Sequence, residues 1–154
     1  MTYVEAPNRP LLGNKKSIFL AGSIQGSKDW QAEIVELIKD LDIVIFNPRR
    51  KNFPIHDPIA AYEQIKWEFD YLRIASMLQF WFAKETLAPI VLFEAGAHLM
   101  TQKPIVIGVD PDYPRRQDVE IQTKLIRPEI KIVYSLKDLS DQIALKYNEL
   151  ISYS

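Results

Sequence analysis

The stretch SIFLAGSIQGSKDWQAEIVELIKDLDIVIFNP, residues Ser17 to Pro48, decides the fold class of this chain. It opens with an apolar run that ends at Gly22, as buried strands commonly do. Apolar residues at helical spacing follow, from Ser27, which is placed to cap a helix, to Leu41. A second apolar run then ends at the proline. A strand, a helix and a strand in this order predict a βαβ unit and a parallel sheet.

The same alternation continues to the end of the chain. Further strands are predicted at Met77–Ala83, Lys103–Asp110 and Glu129–Ser135, and further helices at Ile59–Ser76, Pro89–Gln102 and Leu136–Ser152. These elements predict a three-layer α/β fold with a flavodoxin-like, doubly wound, five-stranded parallel sheet. We assign residues 17–154 to one domain and residues 1–16, in which two prolines break any helix, to an extended N-terminal arm.

The composition excludes several classes of function. The net charge of −1 gives no basic field for a nucleic-acid polymer or a membrane surface. No signal-peptide pattern is present, and no apolar run reaches the roughly 18 residues of a membrane span, so we expect a cytoplasmic protein. The absence of cysteine excludes thiolate metal sites and cysteine nucleophiles. Because His56 and His98 are the two histidines, we also predict no metal site.

Glu94 and His98 interrupt a stretch that is otherwise apolar or small, PIVLFEAGAHL, from Pro89 to Leu99. An ionised carboxylate is costly to bury unless it is hydrogen-bonded or neutralised. Glu94 is therefore either a structural carboxylate satisfied by backbone donors or a residue that does chemistry. His98, one helical turn later, is placed either to hydrogen-bond Glu94 or to lie at the helix edge.

Glu68 is a second carboxylate at a core-facing position. In the predicted helix Ile59–Ser76 it lies on one stripe with Ile65 and Leu72. Either this stripe opens to solvent at Glu68, or Glu68 faces a cavity. Two carboxylates from different helices that meet in a ligand crevice fit glycosidic-bond chemistry, in which one attacks the anomeric carbon and the other handles the leaving group.

The loops after the strands supply further candidates, because ligands of doubly wound sheets bind beyond the carboxyl ends of the strands. The turn after the first strand is either an anion or sugar-hydroxyl site or only a tight turn. The arginines after the second strand either bind phosphate or carboxylate or remain on the surface, and the loop after the fourth strand is either a lid or solvated. Together with one aromatic that either stacks on a base or packs in the core, and with the histidine above, the candidate substrate-binding residues are Gly22, Ser23, Ile24, Gln25, Asn47, Arg49, Arg50, Trp67, His98, Arg115, Arg116 and Asp118.

Four segments, IFLAGSI, FNPRR, EQIKWEFDYL and VLFEAGAHL, occur in this order between about Ser17 and Gly108. Together they resemble the nucleoside 2-deoxyribosyltransferase family, in particular its short bacterial and phage-type branch. The resemblance implies a flavodoxin-like fold. It also implies that the N-glycosidic bond of a 2′-deoxynucleoside is cleaved or exchanged through a covalent deoxyribosyl-glutamate intermediate.

By this resemblance, Glu94 corresponds to the nucleophile and Glu68 to the acidic residue that contacts the nucleobase. The turn Gly22–Ile24 corresponds to the segment that holds the sugar or its 5′ end. The family resemblance further implies a homo-oligomer in which the region 115–122 of a neighbouring chain completes the site. It implies no metal or organic cofactor. The expected partners are a nucleoside or nucleotide and a free nucleobase, as in nucleoside salvage.

Three positions depart from the pattern of that family. We align Ile18 with a first-strand tyrosine that supports the nucleophile, and Ser76 with an acidic residue after the helix. Gln25 stands where relatives that hydrolyse deoxynucleoside monophosphates carry an arginine. Two other functions therefore stay open: a deoxynucleoside 5′-monophosphate N-glycosidase, which is a hydrolase, and a non-catalytic nucleotide-binding module.

Overall fold

Residues 1–152, which the computed structural model describes, form six strands and five helices. The strands are β1 (Thr2–Glu5), β2 (Ser17–Gly22), β3 (Val44–Asn47), β4 (Met77–Phe82), β5 (Ile105–Val109) and β6 (Ile132–Val133). The helices are α1 (Trp30–Leu37), α2 (Pro58–Ile74), α3 (Pro89–Leu99), α4 (Arg116–Ile126) and α5 (Leu136–Ser152). The last two residues of the predicted domain, 153 and 154, lie outside the described residues.

The strands form one parallel sheet in the order β1-β3-β2-β4-β5-β6. Without β1, this is the strand order of a flavodoxin-like fold, so the predicted fold class is confirmed. The sheet has one strand more than the five predicted. Within the N-terminal arm, Thr2–Glu5 pairs along β3, with Thr2 opposite Val44 and Glu5 opposite Asn47.

Different helices cover the two faces of the sheet. Because side chains alternate between the faces along each strand, each strand contributes to two cores. In β2, Phe19 and Ala21 belong to the core that lies under α2 and α3. Ile18 and Leu20 belong to the opposite core, under α1 and α5. The chain thus packs the sheet on both sides, which is the three-layer arrangement that the sequence predicts.

The strand order switches direction at β2, which lies between β3 and β4. A crevice opens at the carboxyl ends of strands beside such a switch point. Helices α2 and α3, which face this crevice, both begin with a proline. Asp57 caps α2 by accepting a hydrogen bond from the Ile59 N–H, and Pro58 follows at the first helical position. Helix α3 also begins with a proline, Pro89, directly after Ala88 in the left-handed backbone region.

Helix α1 starts later than the sequence predicts. Its N-cap is Asp29, whose side chain accepts a hydrogen bond from the Ala32 N–H. Ser27, the predicted cap, instead donates its hydroxyl to the Ser23 carbonyl at 2.8 Å, inside the turn after β2. This turn is therefore longer and more internally bonded than expected. None of the helices formed by residues 1–152 is long and apolar enough to cross a membrane.

Gly22, at the end of β2, is required by close packing. A Cβ atom at this position would lie 2.3 Å from the Trp30 ring and 2.7 Å from the Trp81 carbonyl oxygen. The Trp30 ring is held there because its indole N–H donates to the Ser23 carbonyl at 2.9 Å. The turn after β2 thus rests directly on a tryptophan of α1.

We predict that Gly22→Ala lowers the free energy of unfolding by about 2 kcal/mol or more, because overpacking at a buried site forces neighbours to move. Gly96→Ala is the matched control. A Cβ at Gly96 would meet no atom within 4 Å, and alanine is the better helix former by about 1 kcal/mol. Urea denaturation of the three proteins measures both effects. Equal stabilities for the two variants would contradict the packing argument.

Candidate active site

A cavity of about 600 Å³ opens at the carboxyl edge of the sheet, between α2, α3 and the turn after β2. Its volume lies in the range of small-molecule sites. Most of its lining is apolar, and the polar side chains come from a few positions. The lining residues are Phe19, Ala21, Gly22, Ser23, Ile24, Gln25, Pro48, Phe53, Ala61, Gln64, Ile65, Glu68, Thr86, Ala88, Pro89, Ile90, Val91 and Glu94.

Glu68 and Glu94 both line this cavity, one from α2 and one from α3. The structure therefore brings together the two carboxylates that sequence analysis selected. The stripe that carries Glu68 differs from the prediction, however. Ile65 is not a core residue: it is 67% exposed at the cavity, while Trp67 and Tyr71 bury the other side of α2. Glu68 thus sits on the cavity-facing side of its helix.

The two carboxyl groups have different surroundings. Burial raises the pKa of Glu94 to about 8, and the nearby charge of Glu68 adds to this rise. Burial also raises the pKa of Glu68, but a hydrogen bond from Gln64 opposes the rise. Among residues 1–152, no side-chain hydrogen-bond donor contacts Glu94. In neutral solution Glu94 therefore holds a proton more often than an ordinary glutamate does.

Gln64 is a site residue that sequence analysis missed. Its amide nitrogen donates to Glu68 Oε1 at 2.7 Å and to the Pro48 carbonyl at 2.8 Å. The four-residue spacing from Glu68 was the available signal, because it places both side chains on one helix face. Glutamine on a helix is so often solvated that this spacing alone does not identify a contact.

Another wall of the cavity consists of the end of β2 and the turn after it, where Gly22, Ser23, Ile24 and Gln25 line the cavity. The Ser23 hydroxyl is buried and has no hydrogen-bond partner among the described residues. Four of the predicted substrate-binding residues thus reach the cavity. This wall thus offers a ligand the Ser23 hydroxyl and the Gln25 amide.

Arg49 holds this turn in place and does not line the cavity. Its guanidinium donates to Gln31 Oε1 at 2.8 Å, to the Ser27 hydroxyl at 3.1 Å and to the Lys28 carbonyl at 2.9 Å. Asp29 adds an ion pair at 3.4 Å. Through Nε and Nη2, Arg49 thus fixes the turn after β2 to the segment that follows β3.

Asn47 and Arg50 also lie outside the cavity lining. The Asn47 amide donates to the Tyr3 hydroxyl at 2.8 Å, and its oxygen accepts from the Arg49 N–H, so this residue joins β1 to the end of β3. The Arg50 guanidinium carbon lies 5.2 Å from the centre of the Phe53 ring. Arg50 Nη1 is buried and has no hydrogen-bond partner among residues 1–152.

Trp67 and His98 do not contact the cavity either. Trp67 is fully buried, packs against the rings of Phe19 and Tyr71, and donates its indole N–H to the Asn8 carbonyl at 2.8 Å. It therefore belongs to the core and has no surface on which a base could stack. His98 lines a separate groove at the other end of α3, and burial together with Lys103 and other nearby positive charge lowers its pKa.

Arg115, Arg116 and Asp118 lie exposed around the start of α4, outside the cavity of their own chain. Asp118 forms an ion pair with Arg115 at 3.0 Å, and Arg116 forms one with Glu120 at 3.5 Å. These residues are thus mutually satisfied within one chain. Any contact with the cavity would have to be made across to a second chain.

Strand β2 presents Phe19 to the cavity, whereas Ile18 lies on the opposite face of the sheet. At this position Ile18 lies on the side of the sheet away from both glutamates. Ser76 is likewise remote from the cavity lining, and its hydroxyl accepts a hydrogen bond from the Ser17 N–H at 3.0 Å. It ties the start of β2 to the end of α2.

Glu68 and Glu94 carry the ionisable groups of the cavity lining, which contains no lysine, arginine or histidine. Elsewhere in residues 1–152, no three histidine, aspartate or glutamate side chains are grouped as metal ligands would be. The arrangement provides two carboxyl groups, an amide and a hydroxyl in an apolar enclosure. These groups can attack an electrophilic carbon, accept hydrogen bonds and move a proton.

A known family and a solved structure are similar to this chain. A family model described as nucleoside 2-deoxyribosyltransferase like matches residues 15–113, which is more than half of the chain and includes both glutamates. The crystal structure of a conserved protein from Enterococcus faecalis V583 is similar in fold, with a TM-score of 0.63 and 21% sequence identity. That similarity covers 86% of this chain and 99% of the other. No curated protein matches the sequence.

Replacing Glu94 by glutamine is expected to weaken the pH dependence of folding stability. Because the pKa of Glu94 is raised in the folded protein, its ionisation favours the unfolded chain. The stability that protonated Glu94 gives to the folded state is fully present below about pH 4.5 and is lost as the pH rises through about 8. Over this interval the free energy of unfolding of the parent should therefore fall by roughly 3 to 5 kcal/mol more than that of Glu94→Gln.

Urea denaturation at pH 4.5 and pH 8 measures this difference. The exposed Glu85→Gln in the loop before α3 is the matched control and should follow the parent. Parallel stability curves for the parent and Glu94→Gln would contradict the raised pKa.

Proposed function

The chain belongs to the nucleoside 2-deoxyribosyltransferase-like family, and we propose that it cleaves or exchanges the N-glycosidic bond of a 2′-deoxynucleoside. The observation that carries this proposal is the convergence of Glu68 and Glu94 in one largely apolar cavity. Two carboxyl groups on opposite sides of a glycosidic bond are the usual means of breaking it. We place the reaction in the cytoplasm, as a step of nucleoside salvage.

In the first step, the Glu94 carboxylate attacks C1′ of the deoxyribose. A bond forms between a Glu94 oxygen and C1′ while the bond from C1′ to the base nitrogen breaks, and its electron pair leaves with the base. A proton from Glu68 neutralises the departing base. In the second step, the nitrogen of another base or a water molecule attacks C1′ and releases Glu94, and its proton returns to Glu68.

The cavity favours the binding of an uncharged nucleoside over that of a 5′-monophosphate. Its lining contains two carboxyl groups and no cation, so a phosphate would meet repulsion without compensation. Arg49, whose Nε and Nη2 donate to Gln31 and to the turn after β2, does not line the cavity. The base would lie toward Glu68, and the sugar hydroxyls would lie toward the unpartnered Ser23 hydroxyl.

A deoxynucleoside 5′-monophosphate N-glycosidase is the second candidate, and one observation favours it. Arg50 Nη1 is buried without a partner, and its guanidinium stacks over Phe53, which lines the cavity. A movement of the 51–53 segment would be needed to bring this donor to a phosphate. Arg50→Ala should then reduce activity on the monophosphate and leave activity on the nucleoside unchanged.

We propose that the chain acts as a homo-oligomer. Helices α2 and α3 present large apolar side chains that are more than half exposed, including Tyr62, Phe69, Ile90 and Phe93. Large apolar side chains exposed in this number on two helices that line one cavity support an interface there. The same two helices carry the glutamates, so a second chain on this face would also cover the cavity, and its segment 115–122 would be the candidate to complete the site.

Chromatography of the reaction products tests the proposed function. The protein is incubated with each deoxynucleoside and each 5′-monophosphate, with and without a second free base. Base exchange would identify a transferase, and base release without an acceptor would identify a hydrolase. Glu94→Gln should lose at least about 1,000-fold in kcat/KM, because the nucleophile is removed, while Glu85→Gln keeps the parent rate.

Activity retained by a folded Glu94→Gln would overturn the assigned mechanism. If no substrate is turned over, but a nucleoside raises the melting temperature of the parent, the chain is a binding module and the enzymatic proposal is wrong.

A further inference from the structure

Gln64 carries a feature that its packing does not explain. Both N–H bonds of its amide are used, one by the Pro48 carbonyl and one by Glu68 Oε1. Its amide oxygen is buried and has no hydrogen-bond partner among the described residues. A buried acceptor without a partner is destabilising, and methionine or leucine would fill a similar volume without that cost. The benefit of this side chain must therefore come from its N–H groups.

Those two N–H groups fix the carboxyl group of Glu68 in one orientation. The Pro48 carbonyl directly follows β3, so it is a rigid anchor at the edge of the sheet. Gln64 spans from this anchor to Glu68 with distances of 2.8 Å and 2.7 Å. A donor that is already bonded to a fixed carbonyl cannot follow Glu68 elsewhere, and thus holds Glu68 Oε1 in place.

The donor also makes the two carboxyl groups unequal. Glu68 receives an N–H hydrogen bond, which favours its ionised form, whereas Glu94 receives none from the described residues. We propose that Gln64 is a positioning residue that assigns the negative charge to Glu68 and the proton to Glu94 when the site is empty. The proposal concerns the same site as the proposed function, and its mechanistic part rests on that function.

No other ionisable group of the lining competes for this assignment. The turn after β2, the end of β3, α2 and the loop before α3 contribute apolar side chains, amides and hydroxyls. Arg50, whose guanidinium carbon lies 5.2 Å from the centre of the Phe53 ring, does not line the cavity. The pKa values agree with the geometry, since Glu94 has a pKa of about 8 while the Gln64 hydrogen bond opposes the rise at Glu68.

This assignment gives the site the one proton that the reaction needs. When a nucleoside binds, the Glu94 proton passes to Glu68, which leaves Glu94 ionised for attack on C1′. Glu68 then gives that proton to the departing base and becomes ionised again. The pair ends the first step with Glu94 esterified and Glu68 negative, so protons and charge balance without any further group.

Carbon-13 NMR of the glutamate carboxyl groups, recorded across a pH titration, tests the assignment without substrate. Glu68→Gln and Glu94→Gln identify the two signals. In the parent, the titration step near pH 8 should appear mainly on Glu94, and the lower step mainly on Glu68. In Gln64→Met, the loss of the donor should move the upper step from Glu94 toward Glu68. Gln102→Met, at an exposed position after α3, should keep the parent pattern.

Two results would overturn the proposal: an upper step that lies on Glu68 in the parent, or a Gln64→Met pattern identical to the parent's. The parent titration decides the first point even if Gln64→Met does not fold, and Gln64→Leu replaces it for the second. Because no substrate is used, a failure to turn over nucleosides would contradict the proposed function and leave this test intact.

If the protein is active, the pH profile gives a second readout. The kcat/KM of the parent should fall about tenfold for each pH unit above about 8, where the pair loses its last proton. Gln64→Met should lower kcat and change the position of this limb, and Gln102→Met should change neither. If the alkaline decrease of kcat/KM lies at the same pH in Gln64→Met as in the parent, the proposed role of Gln64 is contradicted.

Discussion

The cost of keeping two carboxyl groups away from water is the constraint on which the site depends. Glu68 and Glu94 share an apolar cavity without a cation in its lining, so ionisation of both carboxyl groups at once is unfavourable. One amide, Gln64, donates to Glu68 and favours its ionised form, while burial and the charge of Glu68 raise the pKa of Glu94. An enclosure of this kind destabilises the fold at neutral pH, as expected of a site shaped for chemistry.

The scaffold around the cavity keeps the carboxyl groups and the facing turn at fixed positions. Gly22 lets the turn rest on Trp30, whose indole bonds the turn's backbone, and Arg49 binds the turn from the side of β3. The Pro48 carbonyl, directly before Arg49, anchors Gln64. One short segment after β3 therefore supports both walls of the cavity, so that the turn and the Glu68 carboxyl group are held by adjacent residues.

Local patterns predict the fold well and the contacts less well. Alternating apolar runs and helical spacing suffice for β2 to β5, because those signals are contained in each segment. Strand β1 was missed, since four residues with exposed Tyr3 become a strand only through pairing with β3. Glu94 was predictable as a lone carboxylate in an apolar helix. The role of Arg49 was not, because its partners lie 18 to 22 residues away in sequence.

The bond that Glu94 forms to the sugar is the step on which the proposed mechanism depends, and mass spectrometry of the quenched reaction tests it most directly. The parent is mixed with a deoxynucleoside, denatured in acid and digested. We predict a deoxyribosyl group on the peptide that contains Glu94, absent from Glu94→Gln and released when a free base is added before quenching. Turnover by the parent with no adduct, or with an adduct on another residue, would contradict the account.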